Sequence, residues 1–165
     1  MSASRQDLMD FLDRLGIGVM TTEHPPLFTV EESRKLRGDI AGGHTKNLFL
    51  KDKKDALFLL VAEEDVAIDM KTLHQKIGSA RLSFGRPELL AEKLGVTPGS
   101  VTPFGLINDR AGEVAVLLEA GLMRHEMLNF HPLQNSATTT IGRDDFLAFL
   151  RASGHEPRIV AAAGS

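Results

Sequence analysis

The chain has 165 residues, no cysteine and a formal net charge of −3. That length suits one domain able to bury roughly 70% of the surface its unfolded chain exposes. Without cysteine there is no disulfide, thiolate metal site or thiol nucleophile, and the acidic balance argues against a surface that coats nucleic acid.

In chain order, residues 4–15 predict a helix, with Leu8, Phe11, Leu12 and Leu15 on one face and Ser4 as N-cap ahead of Asp7. The acidic residues of this opening segment and its lack of a long apolar core do not read as a signal peptide. No apolar run in the chain approaches the ~18 residues of a membrane span, so the expectation is a cytoplasmic protein with no membrane contact. Residues 19–22 predict a short strand, and His24-Pro25-Pro26 a rigid turn. Thr29 reads as the cap of a helix over 30–37, with Glu32 at the capping-box position. Gly42 and Gly43 form a flexible approach to His44.

Residues 47–51 predict a strand with Leu48 and Leu50 on one side and Asn47 and Phe49 on the other. Residues 56–62, ALFLLVA, are continuously apolar, as in a strand buried on both faces. The two form a hairpin at the centre of a sheet. Its turn carries Lys51, Lys53 and Lys54, diluted by Asp52 and Asp55. Asp65 caps a helix ending near Gly78, residues 81–84 form a short strand, and residues 87–94 a short helix with Pro at its first turn.

Residues 95–109, GVTPGSVTPFGLIND, hold Gly95, Pro98, Gly99, Pro103 and Gly105. That density forbids a regular helix or inner strand, because Pro lacks the N–H donor and Gly is conformationally loose. Such a loop brings peptide N–H groups close to an anion or a polarised carbonyl; a surface connection has the same composition. Residues 104–108 are expected to re-enter the sheet. Strands follow at 113–118, with Val114, Val116 and Leu118 on one face, at 127–130 and at 136–141. A connection of undefined type spans 121–126. A helix over 143–152 packs Phe146, Leu147, Phe149 and Leu150, and residues 158–161 close the sheet as an edge strand. The irregular interspersion of elements defines a mixed α/β, α+β-like single domain over 1–165 with a largely antiparallel sheet, not a doubly wound one.

Three positions carry candidate chemistry. Lys46 opens a strand after the Gly-rich approach, where an ammonium can hold a phosphate or a developing oxyanion; a solvated lysine at a strand end reads the same. His131 precedes Pro132, as His24 precedes Pro25, and each is a general base, a hydrogen-bond donor or a satisfied core group. Asn129, Asn135 and Thr138 surround His131 with neutral polar groups that suit a ribose or an amide, or cap turns. The six histidines show no metal-binding spacing, so neither a metal nor another cofactor is expected. The set lacks a nucleophile or carboxylate pair. It suits oxyanion stabilisation and positioning of water on an ester.

The segments HPPLFTVEES, HTKNLFLKDKK, GVTPGSVTPFGLIND and LNFHPLQNSATTT together resemble the YbaK/ProX superfamily of aminoacyl-tRNA deacylases. Within it the chain is similar to freestanding prolyl-tRNA editing proteins of the PrdX (ProXp-ala) type, over about residues 5–160. The resemblance implies a mixed sheet curved round a pocket and flanked by helices. It also implies hydrolysis of the ester between a mischarged amino acid, alanine for this subgroup, and the terminal adenosine of tRNA(Pro). It places the family lysine on Lys46 with Asn47 beside it, the family loop on Gly99 to Pro103 with backbone N–H groups facing the ester carbonyl, and the pocket histidine on His131. In related editing domains a ribose hydroxyl of the substrate positions the hydrolytic water. Phe104 and Gly105 follow the loop. Met20, Phe28, Leu48 and Phe104 are candidate walls of a pocket that takes alanine and excludes proline. Mischarged tRNA(Pro) is the expected partner through its acceptor end, with prolyl-tRNA synthetase or an elongation factor as further candidates. A deacylase for cysteine or serine, and a non-catalytic binding module, are the alternatives.

Overall fold

The computed structural model describes residues 2–26, 40 and 42–162. Helix α1 (Arg5–Arg14) starts as its sequence dictates. The Ser4 hydroxyl accepts the Asp7 N–H at 3.1 Å, and the Asp7 carboxylate accepts the Ser4 N–H at 2.9 Å. Strands β1 (Met20–Glu23), β2 (Gly43–Asp52) and β3 (Leu57–Glu63) follow, then α2 (Leu73–Ile77), β4 (Leu82–Phe84) and α3 (Pro87–Leu94). After two 3-10 turns come β5 (Val114–Glu119), β6 (Met127–Phe130), β7 (Ala137–Gly142), α4 (Arg143–Ala152) and β8 (Arg158–Val160).

The strands form one sheet in the order β1-β7-β6-β2-β3-β5-β8, with β4 paired to β2. Pairings β1–β7, β6–β7, β2–β3 and β2–β4 are antiparallel; β2–β6, β3–β5 and β5–β8 are parallel. The mixed sheet and the central hairpin agree with the sequence pattern. The main core lies on the face holding Phe49, Leu59, Val61, Val114, Val116 and Leu118, with Phe146 and Phe149 of α4 packed against it. Leu50, Leu60 and Leu117 face a second, smaller cluster closed by Leu73 and Ile77 of α2. Leu48 packs against this second cluster.

Two expectations are corrected and one open connection is filled. Residues Pro103–Asn108 form a 3-10 helix, not a returning strand. Thr102 caps it, its hydroxyl accepting the Phe104 N–H at 3.2 Å and its carbonyl the Gly105 N–H at 3.1 Å. The helix expected from Asp65 shrinks to Leu73–Ile77, because Asp69 gathers a turn of its own: its side chain accepts the Lys71 N–H and its carbonyl the Thr72 and Leu73 N–H groups. The undefined connection holds a further 3-10 turn, Ala120–Arg124, capped by the Glu119 carboxylate. The helix expected over 30–37 lies outside the described residues, as does Phe28.

Candidate active site

Strand β2 joins β6 through two parallel pairs, Gly43↔Leu128 and His44↔Asn129. Among the described residues this is the one strand pairing that connects β1-β7-β6 to the rest of the sheet. Paired residues share a face, and alternate residues along a strand share it too. His44, Lys46 and Asn129 therefore fall on one face, and His131 follows one residue beyond the end of β6. The antiparallel registers Asn129↔Thr140, Met20↔Thr140 and Thr22↔Thr138 add Thr138, Thr140 and Met20 to it. This face lies opposite the main core, which takes Leu128, Phe130 and Ile141 from the alternate positions.

Lys46 is partly buried and its ammonium donates to the Val66 carbonyl. That acceptor is neutral, so the contact does not cancel the lysine charge. His131 donates from Nδ1 to the Ala137 carbonyl at 3.1 Å, which leaves Nε2 as the ring's acceptor. Burial, opposed by the Ala137 hydrogen bond and reinforced by the neighbouring His24, holds its pKa below the usual histidine value of 6.5. The loop that follows holds Leu133 at φ 69, a left-handed conformation rare for a bulky side chain and of the kind that gathers at functional sites.

His24 joins this group, a place that its sequence context left open. Its ring contacts the Pro25 carbonyl through Nδ1 at 2.9 Å and the Thr138 hydroxyl through Nε2 at 2.8 Å. With Nδ1 donating, the neutral ring accepts the Thr138 proton. The Thr138 side chain is thereby committed to His24. The rigid His-Pro-Pro turn was the only available signal.

Gly99 lies exposed in a 3-10 turn, Pro98–Ser100. A Cβ on Gly99 would stand 3.4 Å from the Asn135 amide nitrogen, so the loop reaches the segment that leaves His131. Pro103, Phe104 and Gly105 are buried. Phe104 stacks edge-on against Phe130 and Phe149 at 5.7 and 5.3 Å, inside the core. A Cβ on Gly105 would meet the Leu94 carbonyl oxygen at 2.8 Å, so glycine there permits close packing on α3. These residues shape the loop from behind. Of the other candidate walls, Met20 is 71% exposed on the site face and Leu48 belongs to the second apolar cluster.

Asn47 alternates to the side opposite Lys46. Its Oδ1 is buried with no hydrogen-bond partner among the described residues. Asn129 is 4% exposed and its side chain is engaged in the β2–β6 joint. Near the joint, Glu63 pairs with Arg124 at 2.8 Å and His125 at 3.2 Å. The Arg124 hydrogen bond chiefly holds the Glu63 pKa below the ordinary carboxylate value, which suits a fixed anion and not a proton donor. Among the described residues no cluster of His, Asp and Glu is arranged to hold a metal, and no helix is long and apolar enough to cross a membrane.

The structure thus presents a partly buried lysine, a histidine whose pKa burial lowers, and a Gly/Pro loop beside the segment that follows that histidine. Residues 24–149 match the family described as the aminoacyl-tRNA editing domain, and the chain belongs to that family. It is 38% identical over 153 residues to the prolyl-tRNA editing protein ProX of Acetoanaerobium sticklandii, covering 92% of this chain and 93% of that protein. It is 39% identical over 159 residues to prolyl-tRNA synthetase associated domain-containing protein 1 of Danio rerio, covering 95% and 86%. Its fold matches a crystal structure of a candidate trans-editing enzyme for prolyl tRNA synthetase with a TM-score of 0.73, at 18% identity and 100% and 99% coverage. The chain is an aminoacyl-tRNA editing enzyme, an ester hydrolase.

Proposed function

We propose that the chain hydrolyses alanine from mischarged tRNA(Pro), acting in trans. The observation that carries this reading is the β2–β6 joint, which brings the stretches carrying Lys46 and His131 together, with the Gly99 loop beside the segment after His131. It is supported by the likeness to the ProX editing protein. The substrate is an aminoacyl ester of the terminal ribose. Water adds to the ester carbonyl, the bond from that carbon to the ribose oxygen breaks, and the ribose recovers its hydroxyl while the amino acid leaves as a carboxylate. Lys46 and the Gly99 backbone N–H stabilise the oxyanion that forms on the carbonyl oxygen. His131 Nε2 accepts a hydrogen bond from the water or from the ribose hydroxyl that orients it. The substrate hydroxyl then supplies the positioning that no protein nucleophile provides. Met20, on the same face as Lys46, is the residue proposed to border the aminoacyl group.

Selectivity follows from size. A synthetase gains only about 1–3 kcal/mol per methylene, so it admits a smaller amino acid by error; a second, tighter pocket accepts alanine and rejects the larger cognate ring. The acceptor end meets the hairpin edge carrying Lys51, Lys53 and Lys54. Deacylation of Ala-, Cys-, Ser- and Pro-tRNA(Pro) by the purified protein tests the reading. Fast release of alanine with Pro-tRNA(Pro) intact is expected. Preference for cysteine or serine would reassign the substrate, and binding without turnover on every ester would reduce the chain to a carrier.

A further inference from the structure

The joint between the two parts of the sheet is short, two residue pairs, yet the candidate site straddles it. Lys46 leaves the joint on β2, and His131 follows the last residue of β6. Their spacing therefore depends on how firmly β2 is held to β6 over Gly43 and His44. Two pairs of a parallel ladder are a weak hinge, since parallel pairing is slightly less stable per residue than antiparallel.

Side chains reinforce it. The Asn129 amide nitrogen donates across the joint to the Gly43 carbonyl at 3.2 Å. The Thr140 hydroxyl, from the next strand, donates to Asn129 Oδ1 at 2.6 Å. The Thr45 hydroxyl donates to the Asn129 backbone carbonyl at 2.7 Å. One residue thus ties β7, β6 and β2 together while only 4% exposed. The approach of β2 is tailored to this contact. Gly42 has φ +102, and a Cβ there would come within 3.1 Å of the Asn129 amide nitrogen. A Cβ on Gly43 would stand 2.7 Å from the His125 ring. Glycine at 42 thus suits the close approach to Asn129, and glycine at 43 the close approach to His125.

We infer that Asn129 is a positioning residue: it clasps β2 to β6 and so sets Lys46 against His131, without itself binding the aminoacyl group. This rests on the proposed hydrolytic site. Loosening the clasp lets the two halves separate by a fraction of a strand spacing. Substrate still docks, because its contacts on each half survive. The chemical step suffers, since it needs both halves at one carbonyl. A misplacement of about 1 Å costs on the order of 10²-fold in rate.

The test is single-turnover deacylation by Asn129→Ala, Asn129→Asp and Thr140→Val, with thermal melting of each. Asn129→Asp keeps an acceptor for Thr140 but sets a carboxylate against the Gly43 carbonyl. Both Asn129 variants should lose roughly 10- to 100-fold in the rate at saturation, with half-saturation changed less than about threefold. Thr140→Val should lose less in the same direction. An unchanged saturating rate in Asn129→Ala overturns the inference, and so does a raised half-saturation with the rate preserved, which marks a direct substrate contact. If neither Asn129 variant folds, Thr140→Val decides alone: a wild-type rate overturns the clasp. A wild-type protein inert on every aminoacyl-tRNA would instead defeat the proposed activity, a separate and distinguishable failure.

Discussion

Lys46 stands two residues beyond His44 on β2, and His131 two residues beyond Asn129, just past the end of β6, where the parallel pair His44↔Asn129 joins the two strands. Two stretches far apart in the sequence are thus carried to the same joint of two residue pairs. The chemistry proposed here depends on that convergence, and its consequences are open to measurement.

His131 should give the enzyme an acid limb. Burial lowers its pKa from 6.5, so the neutral ring that accepts through Nε2 persists throughout neutral pH. The rate at saturation should be flat from about pH 6.5 upward as far as this group is concerned, and fall only below the ordinary histidine range. The sign for stability is the same. A folded pKa below the unfolded one means that the unfolded chain binds the extra proton, so the contribution is complete above about pH 6.5 and lost as pH falls through the folded pKa. Melting temperatures of wild type and His131→Gln, followed from about pH 7.5 to about pH 5, should converge on acidification.

A buried pair away from the site should govern stability alone. Asp109 Oδ2 and His155 Nε2 lie 2.8 Å apart, with both side chains 2% exposed. Asp109 also accepts the Glu113 and Val114 N–H groups, and the Ser153 hydroxyl contacts His155 Nδ1 at 2.9 Å. His155→Ala removes one of three hydrogen bonds to the buried Asp109 carboxyl, so it should cost about 1–3 kcal/mol in urea unfolding. Deacylation by the folded fraction should stay at the wild-type rate.

Two glycines of one loop should separate activity from stability. At Gly99 a Cβ meets only the Asn135 amide nitrogen at 3.4 Å, an ordinary contact. Gly99→Ala should melt within about 0.5 kcal/mol of wild type yet deacylate more slowly, because the methyl stands where the ester is proposed to approach. At Gly105 the Cβ collides with the Leu94 carbonyl at 2.8 Å. Gly105→Ala should destabilise by about 1–3 kcal/mol and leave the intrinsic rate intact.

Much of this architecture is legible in the residues. The alternation across 47–51 separates Phe49 from Leu50 onto the two apolar clusters, and Ser4 with Asp7 marks the start of α1, because these signals act over a few residues. The 3-10 helix Pro103–Asn108 escapes such reading. A proline followed by apolar residues fits a buried strand equally well, and only the Thr102 cap decides. The β2–β6 joint is illegible for another reason: it pairs segments far apart in the chain, and no local pattern encodes a register of that kind. Lys46 and His131 could therefore be picked out by motif, while the joint near both could not be read. Asn129, read as a substrate contact, has its amide side chain hydrogen-bonded to Gly43 and Thr140 at the joint, partners that no local pattern points to. His24 could be noted beside its proline but not assigned to the site, because its partner Thr138 lies 114 positions away.

The hairpin edge should behave as an electrostatic contact. Lys51 is paired with Asp55 at 3.4 Å with exposures of 41% and 84%, an arrangement that an incoming phosphate can displace at little cost. Lys53→Ala with Lys54→Ala should raise half-saturation for the aminoacyl-tRNA and leave the saturating rate unchanged. The slope of log affinity against log salt should fall by about 0.7–0.9 for each phosphate that the variant no longer neutralises.

The most direct measurement is single-turnover hydrolysis of Ala-tRNA(Pro) by wild type and by Lys46→Ala, with circular dichroism to confirm the fold. If Lys46 stabilises the oxyanion at the joint with β6, the variant should lose about 10²–10³ in rate while keeping its melting temperature. Hydrolysis at the wild-type rate by a folded Lys46→Ala would contradict the site assigned here.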